Sequence, residues 1–217
     1  MVPTQLLPSR ARWIVLLVGL SIILAALSLV IQPSLFNDTP LAEEPVPISH
    51  CTVISEEGTY TLTQDIRGGR IASSCIRIKE SHVTLQGSKH TLMGRGATDS
   101  TAILISSPDG VSDVTVRSIK TTRWNRGVHL VNTSDATLQD VDAWRNTEGV
   151  TVWNSTKIRI KDCRLTNNLF GLVVDRSSPR VSVSSVYFEG NNIWNISWGE
   201  YQSQSGQPQI QHQDRIK

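Results

Sequence analysis

Residues 127–148 read GVHLVNTSDATLQDVDAWRNTE, and residues 149–170 read GVTVWNSTKIRIKDCRLTNNLF. Residues 171–193 follow as GLVVDRSSPRVSVSSVYFEGNNI, with one extra residue near Pro179. Gly127, Gly149 and Gly171 thus head units that recur every 22 residues. A fixed period in this range marks stacked repeats, because one unit alone cannot bury its apolar face.

Aligned, the three units place their apolar residues in columns. Val128, Val150 and Leu172 form the first, and Leu130, Val152 and Val174 the second. Ala136, Ile158 and Val181 come next, then Leu138, Ile160 and Val183. Val141, Cys163 and Val186, and then Ala143, Leu165 and Phe188, complete the set. Within each unit these residues occur in pairs two apart, the period of a strand whose side chains alternate between faces. Three short strands separated by polar corners describe one coil of a parallel β-helix. The LxxLxLxxN spacing of leucine-rich repeats is absent.

The corners fit the same architecture. Asn146, Asn168 and Asn191 share a column, as do Asn132 and Asn154. Asn tolerates left-handed backbone, and its amide can bond the same amide one coil away. The glycines heading each unit are expected to supply similar backbone freedom. Upstream, Ile103, Ile105, Val114, Val116 and Ile119 read as one coil, with a loop inserted at 107–110. Ile76, Ile78, Val83, Leu85 and Leu92 read as another, and Val53, Tyr60 and Leu62 as the opening turn. Downstream, residues 194–198 would begin a sixth coil. At ~4.8 Å per coil the rod is roughly 25–30 Å long.

The expected organisation is all-β after a membrane segment. Residues 13–31 carry no charge and follow Arg10 and Arg12. As a helix they would span ~28 Å, about one hydrocarbon core. The basic flank places the N-terminus, 1–12, in the cytoplasm and the β-helix outside. A cleaved signal peptide is the alternative, although no clear small-x-small cleavage site follows. Residues 32–49, with Pro33, Pro40, Pro45 and Pro47, read as a stalk. The β-helix is expected over 50–200, and the Gln- and Ser-rich 201–217 as a disordered tail.

Cys51 and Cys75 lie 24 residues apart, close to one coil, and could bridge adjacent rungs in an oxidising compartment. Cys163 sits in an apolar column and reads as an inert core thiol. A net charge of +2, evenly mixed, leaves no nucleic-acid footprint. His50, His82, His90, His129 and His212 are scattered, so neither a metal site nor a cofactor is expected. The triplets at Asn37, Asn132, Asn154 and Asn195 match the glycosylation pattern, which Asn-rich turns also generate by chance.

The run CTVISEEGTYTLTQDI at 51–66, then CIRIKESHVTLQGSKHTLMGRG at 75–96 and the GV-headed coils, resembles CASH-type right-handed parallel β-helix proteins. That group includes NosD-like periplasmic proteins, carbohydrate-binding modules and sugar hydrolases. The resemblance covers about 50–200 and implies the fold; it does not choose among functions. The NTD, DD and GHG elements of polygalacturonase-like members are missing, as is the DPH motif of alginate epimerase-like members.

Three candidate surfaces follow. Asp140 and Asp162 share a column and Asp142 is adjacent, so their backbones should stand ~4.8 Å apart. Two carboxylates at about 5 Å suit a retaining glycosidase, while the bland reading is a polar corner neutralised by Lys161 and Arg164. Trp124, Asn125, Arg126, Trp144 and Arg145 are the expected carbohydrate platform, with exposed indoles as stacking surfaces; alternatively the indoles cover an apolar strand edge. On the first strand of each coil His129, Val131, Thr151, Trp153, Val173 and Asp175 point outward. Of these, Val131, Trp153 and Val173 would form a partly apolar face for a protein partner. The leading expectation is non-catalytic recognition of carbohydrate or another cell-envelope component. Polysaccharide cleavage by the acids, or assembly with an envelope complex, are the alternatives.

Overall fold

In the computed structural model residues 44–68, 74–96 and 98–199 are described. Residues 13–31, most of the expected stalk and the tail 201–217 lie outside them. Among the described residues no helix is long and apolar enough to cross a membrane.

Every strand pairing is parallel, as a coil-on-coil stack requires. One sheet runs through seven strands: Thr52–Ile54, Ser74–Ile78, Thr101–Ile105, Arg126–Val131, Glu148–Trp153, Phe170–Val174 and Trp194–Trp198. Seven stacked strands correspond to about six coils. The second, 11-stranded sheet supplies the other two faces of each coil. Its long strands, Val111–Thr122 and Thr133–Trp144, turn from one face to the next at Ser118 and Asp140, where φ is +52° and +54°. Later coils break at the same place, at Asp162 and Ser185. The first strand, Val46–Ile48, pairs with Gly58–Leu62, so the stack begins inside the segment read as a stalk.

The apolar columns hold. Val128 pairs with Val150 and Val150 with Leu172, while Leu138 pairs with Ile160 and Ile160 with Val183. Leu130, Leu138, Val150, Val152, Ile158, Ile160 and Leu165 are completely buried. At about 1.5–3 kcal/mol per buried branched side chain, these columns dominate the favourable terms. Cys51 and Cys75 form the disulfide across adjacent rungs, and Cys163 is a buried free thiol raised by burial to about 11.

The glycines heading the coils serve a different purpose from the one expected. None of the three is among the positive-φ residues. A Cβ on Gly149 would stand 2.6 Å from the Gly171 carbonyl oxygen and 3.0 Å from Asn168 Nδ2. Space, not conformational freedom, demands glycine there. Left-handed backbone belongs to Asn132 and Asn154, at φ +53° and +44°.

Candidate functional site

The outward face of the seven-stranded sheet holds a connected set of polar and aromatic side chains. Arg126 and Glu148 are register partners on adjacent strands, and Arg126 Nε donates to Glu148 Oε2 at 3.1 Å. Both side chains are more than four-fifths covered. Thr151 Oγ1 also donates to Glu148. The Arg126 guanidinium lies 5.2 Å from the centroid of the Trp153 ring, at cation–π range. Trp153 in turn meets His129 edge-on, with centroids 4.9 Å apart. The indole remains 39% exposed.

His129 and Thr151 point outward as expected but are not exposed; they are 7% and 0% accessible. Trp153 lies against His129, and Thr151 is hydrogen-bonded to Glu148. Burial, followed by the charge of Arg126, pushes His129 down to about 4, so the ring is neutral at pH 7. Its Nε2 is buried without a hydrogen-bond partner. Val131 and Val173 are half-buried on the same face, beside Trp153 and Thr151 respectively. Four of the residues expected at two separate sites, Arg126, Val131, Trp153 and Val173, thus share one surface.

The expected indole platform is corrected. Trp124 is 6% exposed, and its Nε1 donates to the Leu92 carbonyl at 3.0 Å. Gly68 and Gly94 make room for the ring: a Cβ on either would fall within 2.7 Å of it. Its backbone N–H donates to Asn146 Oδ1, just as that of Asn146 donates to Asn168. Trp124 therefore stands at the head of the asparagine column and belongs to the core. Trp144 is half-buried on the other sheet, between Thr122 and Thr166, and Arg145 is exposed at the next corner. Asn125 is half-buried and its N–H donates to Ser100.

The acids occupy the corner read from the sequence. Asp140 and Asp162 share the left-handed turn position. Burial would raise Asp140, but hydrogen bonds from Lys89 and Ser118 and the charges of Lys89 and Lys120 outweigh it and hold the carboxyl below its usual range. Burial raises Asp142, although Arg164, Lys120 and Lys89 pull against it. Asp162 is exposed. Among the described residues no group of three or more His, Cys, Asp or Glu side chains is placed to hold a metal ion.

A polar groove adjoins Trp153 at the corner that follows the seven-stranded sheet. It is an open depression of about 370 Å³, lined by Ser81, Asp109, Ser112, Asn132, Asn154 and Thr156 among others. Asn132 Nδ2 donates to the carbonyls of Ser107 and Pro108, which ties the inserted loop to the corner. Asn154 Nδ2 reaches Asn132 Oδ1 at 3.5 Å. A larger depression of about 540 Å³ near His50, Gln64 and Asp65 carries no indole.

Sequence reasoning missed Glu148 and Thr156, whereas for Trp124 the structural alternative, an indole covering apolar strand edges, is the one that fits its burial. Glu148 lies 22 residues after Arg126, one period on, so an opposite-charge pair across adjacent rungs was there to be found. Compared with known proteins, residues 48–212 match the family described as the right handed beta helix region. No curated protein and no solved structure matches the chain.

Proposed function

We propose that this chain, which belongs to the right-handed β-helix family, recognises carbohydrate of the cell envelope on the outward face of its seven-stranded sheet. The observation that carries the reading is Trp153: a partly exposed indole, fixed by Arg126 and His129 on a rigid sheet beside a polar groove. A pre-oriented aromatic ring supplies apolar area to a sugar ring at little entropic cost. Neighbouring amides and hydroxyls supply orientation. The Cys51–Cys75 disulfide favours an oxidising, extracytoplasmic compartment. Residues 13–31 are the proposed anchor, with the N-terminus cytoplasmic.

Trp153→Ala is expected to weaken glycan binding about thirtyfold, equivalent to ~2 kcal/mol at a site built on one aromatic anchor. Titration of the full chain with glycans from an array would measure it. Wild-type affinity in the folded variant would dismiss this face as the binding surface, and a protein partner docking on Val131, Trp153 and Val173 would become the better reading.

One observation favours polysaccharide cleavage as a second reading. Asp140 is held low and Asp142 is raised, the opposite directions that acid–base pairs require. If cleavage occurs, bound glycan should release reducing ends at a rate that Asp142→Asn cuts at least about a hundredfold, the scale of a lost general acid. Unchanged turnover in that variant would remove the acids from consideration.

A further inference from the structure

We infer that the groove beside Trp153 is a second half of the glycan site, and that it selects an uncharged, hydroxyl-rich oligosaccharide. This rests on the recognition reading above and adds a ligand class to it. The groove spans four coils: Ser81 comes from the first, Asp109 with Ser112 from the second, Asn132 from the third, and Asn154 with Thr156 from the fourth. Three strand spacings cover ~14 Å, room for more than one sugar ring. Trp153 immediately precedes Asn154, so the strand that carries the indole runs directly into the lining of the groove.

The lining decides the ligand's charge. Among the described residues Asp109 is the one ionisable group in the lining, and no Lys, Arg or His lines the groove. Just outside it, Asp175 accepts from the Asn154 N–H. A carboxylated or sulfated sugar would bring a like charge to Asp109 with no cation to offset it. Hydroxyl groups suit the same lining, since an ionised carboxylate accepts several of them. Asp109 is exposed at the tip of the inserted loop, where Gly110 turns at φ +87°.

One residue of the lining carries a group with nothing to bond. Thr156 Oγ1 is buried and has no partner, although its backbone N–H and carbonyl are both engaged with the coil above. An orphaned hydroxyl of this kind is costly unless a ligand or water meets it. Two other lining residues are already engaged: Ser81 Oγ accepts from the Ser112 N–H, and Asn132 holds the loop. That part of the groove is shaped before the ligand arrives.

The test uses the full chain, titrated with neutral hexose tetrasaccharides and with tetragalacturonate as the acidic counterpart. Neutral sugar should bind and the acidic one should not. Asp109→Asn should weaken neutral binding about tenfold, the scale of one charge-assisted hydrogen bond. Thr156→Val should weaken it about threefold without lowering the melting temperature, since that substitution also removes the orphan. Preference for the acidic sugar would overturn the inference. So would unchanged affinity in both groove variants while Trp153→Ala abolishes binding; the recognition reading would then survive alone. A folded chain that binds no glycan across a full array would remove both.

Discussion

Asn168→Ala is expected to cost the stack about 4 kcal/mol. The Asn168 side chain is 1% exposed and makes three hydrogen bonds across coils. Its Oδ1 accepts the Asn146 N–H at 2.9 Å, and its Nδ2 donates to the Ala143 carbonyl at 3.0 Å and to Asn191 Oδ1 at 3.2 Å. Alanine leaves a buried N–H and a buried carbonyl without partners, at ~1–3 kcal/mol each, and opens a cavity beside them. Asn168→Asp keeps the acceptor but turns a carboxylate on the Ala143 carbonyl, so it should be no better. Asn191→Ala, in a half-buried position one coil further on, should cost less than half as much. Urea unfolding of the three variants measures this directly. A loss below ~1 kcal/mol for Asn168→Ala would show that the amide column is not a structural spine.

The same corner explains how much of the fold was legible. Columns can be read because a strand alternates with period two and every coil repeats that pattern at nearly constant length. Val128, Val150 and Leu172 must then stack, whatever their exact identities. The asparagine column could be read for the same reason. Glycine could be located but not interpreted: from sequence, Gly149 offers freedom, whereas in the stack its neighbour's carbonyl leaves no space for a Cβ. That close approach depends on two adjacent coils passing each other, which no local pattern encodes.

Trp124 and His129 show the two ways in which side-chain placement escaped the pattern. Trp124 stands 22 residues before Asn146, so strict bookkeeping of the period would have put it at the head of the amide column and inside. The fold begins its column there with an indole resting on Gly68 and Gly94. His129 was read correctly as outward, yet outward is not exposed. Trp153, from the next coil, lies against it, and Arg126 adds its charge. Contacts between side chains on one face depend on rotamers and length, which alternation does not constrain. Hence one aromatic and one cation from two expected sites, Trp153 and Arg126, converge on a cluster that neither expectation contained.

That cluster makes stability depend on pH. His129 ionises at about 4 in the folded chain and near its usual 6.5 when unfolded. Above 6.5 the ring is neutral in both states and contributes no pH dependence. As pH falls from ~6.5 to ~4, the unfolded chain takes up a proton that the folded chain refuses, and stability declines. Below ~4 both states are protonated and the decline levels off. A difference of this size corresponds to a loss on the order of 3 kcal/mol. Arg126, held by its ion pair with Glu148, is the charged group that acts on the ring, and it disfavours the imidazolium directly. His129→Phe keeps an aromatic ring against Trp153 and removes the titration. Urea unfolding of wild type and variant between pH 7.5 and 3.5 should show the wild type alone losing this increment. Parallel curves would mean that His129 is solvated in the folded chain and that the Arg126–Trp153–His129 packing is looser than the geometry implies. A loose cluster would also deprive Trp153 of its fixed orientation, so this measurement bears on the proposed glycan surface as well as on the fold.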